Sequence, residues 1–145
     1  MLFAIKSDIL YLKNIYEYKY IIKYMNNKIE GDLYEKYVYH LIKNKYKTCY
    51  LWKDIPLNVL EDKFYRNNKI CKDIGCDIIG VSYDDKIDYI QCKNYSTTGT
   101  DNTINIEDLS GFYNFIAENL IKEPIVYYSG KLSKQIIVDK IILNI

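Results

Sequence analysis

The sequence predicts an α/β (α+β mixed) domain, a small mixed sheet with helices on both sides. Three observations carry this. Residues 73–95 read as two short apolar strands around a polar turn, the first opening on Asp77 and the second ending in Gln91-Cys92-Lys93. Apolar residues recur at helical spacing before this hairpin (Leu33, Tyr37 and Leu41, flanked by Tyr34 and Val38) and after it (Leu109, Phe112, Tyr113, Ile116, Leu120). Two β-favouring runs, 125–129 and 141–145, close the chain. The order helix, strand, hairpin, helix, strand is that of a layered mixed domain.

A chain of 145 residues, 49% apolar and 27% charged, is the size and composition of one soluble domain. Residues 31–145 are assigned to it, and residues 1–30 to an N-terminal helical extension. The net charge of +1 excludes a global pull toward nucleic acid or anionic lipid, so any basic footprint is local. Arg66 is the only Arg, which leaves backbone contacts largely to Lys. The 17 Tyr, with abundant Lys, Asn and Ile, read as a coding bias expressed in the core and at its rim. Cys49, Cys71, Cys76 and Cys92 form no CxxC pair. A zinc site from Cys71, Cys76, Cys92 and His40 matches no ligand spacing, so the cysteines read as small core residues in a reducing compartment. Lys6 and Asp8 interrupt the first apolar run, and no run reaches the roughly 18 apolar residues of a membrane span. The expectation is an intracellular, soluble protein with no membrane partner.

The elements follow in order. Spacing predicts a helix over 13–24, ended by Asn26-Asn27. Glu30-Gly31-Asp32 reads as a break, with Asp32 capping a helix over 33–44 and Glu35 at capping-box distance. Glu35 flanks that helix's apolar stripe, where the plain alternative is a first-turn acid favoured by the helix dipole. Residues 48–52 favour a strand, 53–56 a turn, and 57–65 a short helix capped by Asn58. Asn67-Asn68-Lys69 is a polar loop. Residues 96–103, polar and holding Gly99, form a mobile loop directly after the hairpin. Asn105 caps a helix over 106–121, with Ser110-Gly111 allowing close packing and Lys122-Glu123-Pro124 ending it. After the strand at 125–129 come a turn at Gly130, a short helical turn capped by Ser133, and the final strand.

Side chains alternate along a strand, so Gln91 and Lys93 share a face and Cys92 points away. Asp77 joins that face only if it pairs with Gln91 or Lys93, which requires an odd-length turn such as Tyr83, Asp84 and Asp85, or a bulge. Glu35, Asp77 and Gln91 together offer hard oxygen ligands suited to Mg²⁺ or Mn²⁺, and Lys93 can reach a phosphate or an attacking water. Metal and Lys together lower the cost of forming hydroxide and stabilise charge on phosphoryl oxygens, an outline for phosphodiester hydrolysis. The alternative is a structural Asp77–Lys93 ion pair at a sheet end, with Gln91 exposed.

Glu35 in a helix, Gly75-Cys76-Asp77-Ile78-Ile79 in one strand and Ile90-Gln91-Cys92-Lys93 in the next resemble the PD-(D/E)XK nuclease superfamily. The nearest branch is the Mrr-like restriction endonucleases, in which Gln replaces the second acid. Gln91-Cys92-Lys93-Asn94-Tyr95, Leu109-Ser110-Gly111-Phe112-Tyr113 and Tyr127-Tyr128-Ser129-Gly130-Lys131-Leu132 also resemble nuclease-like domains attached to viral superfamily 2 helicases. The resemblance spans roughly 31–129. It implies a restriction-endonuclease-like α-β-β-β-α-β core, divalent-metal dependence and DNA as substrate. By position it makes Glu35, Asp77 and Gln91 metal-site residues, the backbone carbonyl of Cys92 a further ligand, and Lys93 the catalytic lysine. Two departures stand out: Gln91 removes one negative charge from the metal site, and Cys76 rather than Pro precedes Asp77.

Two functions follow from this reading, against a third, a structural domain with no nucleic-acid role, which the thin local Lys cluster leaves open. One is a metal-dependent endodeoxyribonuclease that uses Asp77, Gln91, Lys93 and Glu35. The other is a catalytically weak DNA-binding module attached to, or partnering, a helicase. Scarce Arg and near-zero net charge favour modest intrinsic affinity, as in a domain that relies on a helicase tether or on homodimerisation.

Overall fold

The computed structural model describes residues 27–72, 75–94, 103–134, 136 and 141–144. The helix expected over 13–24 and nearly all of the loop expected over 96–103 lie outside the described residues. Helix α1 runs Asn27–Ile42 and strand β1 Thr48–Leu51. A small ribbon of β2 (Tyr65–Arg66) and β3 (Lys69–Ile70) follows. The hairpin strands are β4 (Ile78–Val81) and β5 (Ile87–Asn94). Then come β6 (Thr103–Ile104), helix α2 (Ser110–Asn119), β7 (Ile125–Ser129), β8 (Lys131–Leu132) and β9 (Ile141–Asn144). The main sheet has five strands in the order β1-β4-β5-β7-β9. Its β1, β4 and β5 are antiparallel, whereas β5, β7 and β9 are parallel. The α-β-β-β-α-β core is therefore α1, β1, β4, β5, α2 and β7. No described helix is long and apolar enough to cross a membrane.

Each face of the sheet carries its own core. Tyr34, Tyr37, Val38 and Ile42 of α1 pack on Ile78, Ile90, Cys92, Ile125 and Tyr127. On the other face Phe112, Phe115 and Ile116 of α2 pack with Trp52, Phe64, Cys76, Ile79 and Val126. Alternation along β4 and β5 places Ile78 and Ile90 toward α1 and Ile79 toward α2. Several tyrosines fall where a coding bias in the core would put them: Tyr34, Tyr37 and Tyr127 are buried, and Tyr46 lies over Gly80 with its hydroxyl donating to Asp88 (2.9 Å).

Three local expectations are corrected. The break at Gly31 is absent, because α1 runs through it. An interior Gly costs a helix about 1 kcal/mol, and the burial of four sheet-facing side chains offsets this. Asp32 is therefore a helix-interior residue, not a cap. Residues 57–65 form no helix: Asn58 is left-handed (φ 68°), Leu57 is half exposed, and only a 3-10 turn at Asp62–Phe64 appears. So short a segment has too few helical bonds to repay nucleation. After Asn105, a 3-10 turn (Ile106–Leu109) precedes α2, with the Asn105 N–H donating to the Asp108 carboxylate (2.7 Å). Leu120 is 84% exposed because it ends α2 in the left-handed conformation, and Phe115 takes the core position expected of it.

The β4–β5 turn has the odd length that the site requires. Ser82 N–H donates to the Lys86 carbonyl (2.8 Å), enclosing Tyr83, Asp84 and Asp85. Asp85 N–H returns to the Ser82 carbonyl (3.0 Å), and Asp85 takes φ 61°. This is the three-residue hairpin loop that ends in a left-handed residue. Ile78 consequently pairs with Ile90 and Ile79 with Tyr89, and Asp77 enters just before the first rung of that ladder.

Candidate active site

The approach to Asp77 is set by Gly75. Its φ of +85° is open to glycine at little cost, and a Cβ there would stand 2.5 Å from the Gly111 carbonyl oxygen at the start of α2. The close packing expected of Gly111 is thus made against the lead-in to β4. Cys76 then buries its thiol in the α2-side core. The Asp77 carbonyl accepts from Trp52 N–H (2.7 Å), and its N–H donates to the Ile90 carbonyl (2.9 Å). Ile90 is also the ladder partner of Ile78. Two residues facing one make a bulge, which re-aims the Asp77 side chain along β5.

That side chain meets β5 directly. Asp77 Oδ2 accepts the main-chain N–H of Cys92 (2.8 Å) and the side-chain amide of Gln91 (2.5 Å). The same Gln91 nitrogen donates to the Cys92 carbonyl (3.1 Å). Gln91 is 7% exposed, which overturns the alternative of a solvent-facing amide beside a plain ion pair. Its burial is satisfied only because both of its amide hydrogens have oxygens to meet.

Glu35 and Lys93 line the same cleft as Asp77 and Gln91. Glu35 arrives from α1, whose neighbouring Tyr34 and Val38 are locked into the sheet. Lys93 follows Gln91 by one alternation on β5 and is half-buried beside Tyr128 of β7, its ladder partner. Cys92, between them, turns its side chain into the α1-side core and leaves its carbonyl in the site.

The electrostatics show two acids competing for one buried space. Burial, then the Asp77 charge, pushes the Glu35 carboxyl up to about 8. Burial also raises Asp77, but Cys92 N–H, the Lys93 charge and the Gln91 amide oppose it and hold it at about 6. The donors on Asp77, Cys92 N–H and the Gln91 amide, favour its charged form, so a proton shared by the pair is held preferentially by Glu35. Burial drives the Cys92 thiol well above its usual range, so it stays a neutral core group.

Asp77, Gln91 and the Cys92 carbonyl are thus joined by hydrogen bonds, while Glu35 and Lys93 reach the group through the shared cleft and through charge. Asp32 was missed: it lines the cleft one turn before Glu35 and raises both acids. Its i,i+3 spacing from Glu35 was the available signal. Cys76 and Cys92 lie on opposite faces of the sheet, in separate cores, so the zinc grouping does not assemble. Among the described residues no three His, Cys, Asp or Glu side chains gather as a metal cluster. The donor set nevertheless suits a hard divalent ion. A carboxylate oxygen and a main-chain carbonyl converge on one small electropositive group, the Gln91 NH₂, with a second carboxyl nearby. Mg²⁺ characteristically adds water and substrate phosphate to such a sparse oxygen set.

Comparison with curated proteins and with solved structures finds no match. A family model described as restriction endonuclease, Mrr_cat_2, matches residues 40–141. The match takes in Asp77, Gln91, Cys92 and Lys93 and begins just after Glu35. It covers well over half of the chain and agrees with the mixed sheet between two helices. The chain belongs to this family, the Mrr-like branch of the restriction endonucleases.

Proposed function

We propose that this domain is a divalent-metal-dependent DNA endonuclease that hydrolyses phosphodiester bonds. The observation that carries the reading is the convergence of the Asp77 carboxylate, the Gln91 amide and the Cys92 carbonyl in a cleft shared with Glu35 and Lys93. Asp77, Gln91, the Cys92 carbonyl and Glu35 would hold Mg²⁺ or Mn²⁺. When bound, the ion supplies charge neutralisation at the phosphate and a more acidic water. Asp77 provides the fixed negative charge, oriented by the Cys92 N–H. Glu35, whose carboxyl is raised by burial and by Asp77, would supply the second carboxylate once it is deprotonated. Gln91 turns its amide to present oxygen in place of NH₂. Lys93 places a positive charge on the same face, where it stabilises charge developing on the phosphoryl oxygens.

The nuclease unit is assigned to residues 31–145, with 1–30 as a helical extension whose last residues begin α1 without a break. Within that scheme the chain works beside a helicase domain, in the same or a partner chain, as in the viral proteins it resembles. Such a tether, or homodimerisation, would offset its modest charge. Gln91 in place of an acid favours a second reading, a catalytically weak DNA-binding module.

A plasmid-nicking assay with Mg²⁺ or Mn²⁺ separates the two. Wild-type protein nicks, and Asp77→Ala and Lys93→Ala do not. DNA retention without metal-dependent nicking by the wild type would replace the enzyme with the module. Failure to bind either DNA or metal would sink both.

A further inference from the structure

Beside the cleft stands a feature that the chemistry above does not use. The β2–β3 ribbon turns through Asn67 and Asn68, both left-handed (φ 50° and 60°), with Arg66 paired to Lys69. Two consecutive positive φ angles make the type I′ turn, which matches the natural twist of a two-stranded ribbon. Residues 63–72 carry Lys63, Arg66, Lys69 and Lys72 and no carboxylate, in a chain whose net charge is only +1. All four cations are exposed and all four line the cleft that holds Asp77 and Lys93. Lys63 lies 3.5 Å from Glu61, but among the described residues Arg66, Lys69 and Lys72 meet no carboxylate.

The ribbon is bolted to the cleft wall. Phe64 at its base is buried against Trp52, ring edge to face at 5.9 Å. Trp52 Nε1 donates to the Cys71 carbonyl (2.6 Å), and Cys71 N–H donates to the Phe64 carbonyl (2.8 Å). Tyr65 donates its hydroxyl to the Pro56 carbonyl (2.6 Å) and accepts from Leu60 N–H (3.2 Å). A strand pair fixed this way loses little freedom when its tip is occupied. The Asn pair is spent on the turn, which leaves the cations as the contacting groups. Arg66, the only Arg in the chain, supplies the planar fork that grips a phosphate through two bonds.

We propose that the β2–β3 ribbon is a DNA-holding arm whose Arg66 and Lys69 contact the phosphate backbone of a duplex lying across the cleft. This rests on the nuclease reading above. It places the local basic footprint on one lip of the site, where net charge alone shows none. Phosphate contacts position a duplex without reading its sequence, so the arm confers affinity and register, not base preference.

The test is fluorescence anisotropy of a labelled duplex over a salt series, with Mg²⁺ and in parallel with EDTA. The Arg66→Gln, Lys69→Gln double variant is expected to weaken binding roughly ten-fold or more near physiological salt. It should also reduce the slope of log K against log salt by about 2, since each lost phosphate contact removes about 0.9. Arg66→Lys, which keeps the charge, should keep the slope. A Lys45→Gln, Lys86→Gln control removes two exposed cations at the opposite end of the sheet and should leave the slope unchanged. Wild-type affinity and slope in the ribbon variant would overturn the arm and leave the nuclease reading standing. An equal loss in the control would also overturn it, by showing that general charge is being read. If the wild type retains no DNA in either buffer, the arm and the nuclease reading fall together.

Discussion

Gln91 donates its side-chain amide to the Asp77 carboxylate across 2.5 Å while only 7% of its surface meets solvent. The same nitrogen reaches the Cys92 carbonyl, so an amide NH₂ occupies the spot on which two oxygens converge. Replacing Gln91 with Glu removes that donor and adds a charge. Gln91→Glu should bind Mg²⁺ about ten-fold more tightly, since affinity for hard cations rises with ligand charge. In the absence of metal it should be less stable, because three acids then share one buried space. Titration calorimetry gives the first quantity and thermal melts with and without Mg²⁺ the second. Unchanged Mg²⁺ affinity would mean that Gln91 does not face the ion.

The acid pair also sets a pH dependence. Folding raises Glu35 to about 8 and Asp77 to about 6, from unfolded values of about 4.3 and 3.9. For a group raised on folding, the stabilising contribution is complete below the unfolded value and fades as pH rises through the folded one. The pair should therefore lower the melting temperature of the metal-free protein progressively between about pH 4 and 8. Glu35→Gln should flatten the upper part of that fall, between about pH 6 and 8. A wild-type and Glu35→Gln melting series, run in chelator, checks this. Parallel curves would remove Glu35 from the coupled pair.

Cation binding should displace the Glu35 proton. The Mg²⁺ association constant is then expected to rise with pH by up to about ten-fold per unit below pH 8, and to level off above it. Proton release measured by calorimetry in buffers of different ionisation enthalpy should approach one per ion near pH 7. A pH-independent affinity across that range would count against Glu35 as part of the cation site.

Gly75 offers a purely structural prediction. Alanine there must take φ +85° and must push its Cβ away from the Gly111 carbonyl, 2.5 Å distant. Strained backbone of this kind costs about 1–3 kcal/mol, before the displacement of α2 is counted. Urea denaturation of Gly75→Ala should show at least that loss. Gly31→Ala is the matched control, because nothing lies within 4 Å of its added Cβ, and it should stabilise α1 by up to about 1 kcal/mol.

Much of the site was legible because its parts follow strand parity. Alternation alone puts Gln91 and Lys93 together, and the even pairing of Ile78 with Ile90 follows once the turn must be odd. Strands of β-branched residues such as Ile125–Ser129 were readable for the same reason. Helix ends were less so. Gly31 and Asp32 carry break and cap signals, yet burial of Tyr34, Val38 and Ile42 overrides them. Residues 57–65 looked helical by composition, but Asn58 in the left-handed region and the pull of Phe64 into the core decide otherwise. The Asn67-Asn68 pair between Tyr65-Arg66 and Lys69-Ile70 did hold a hairpin signal, since two consecutive left-handed residues favour Asn. The i,i+3 spacing of Asp32 and Glu35 puts them on one face of α1, but that this face meets Asp77 depends on how α1 lies against the sheet, which spacing does not encode.

The seat of Gly75 against Gly111 has a consequence for biosynthesis. A nascent chain that has emerged only as far as Asn94 already contains Glu35, Asp77, Gln91, Cys92 and Lys93. It lacks α2, the surface against which the lead-in to Asp77 turns, and β7, the strand beside Lys93. Every residue of the site thus precedes the scaffold that aims it. On the proposed reading, the candidate site cannot take its final geometry until α2 and β7 have docked.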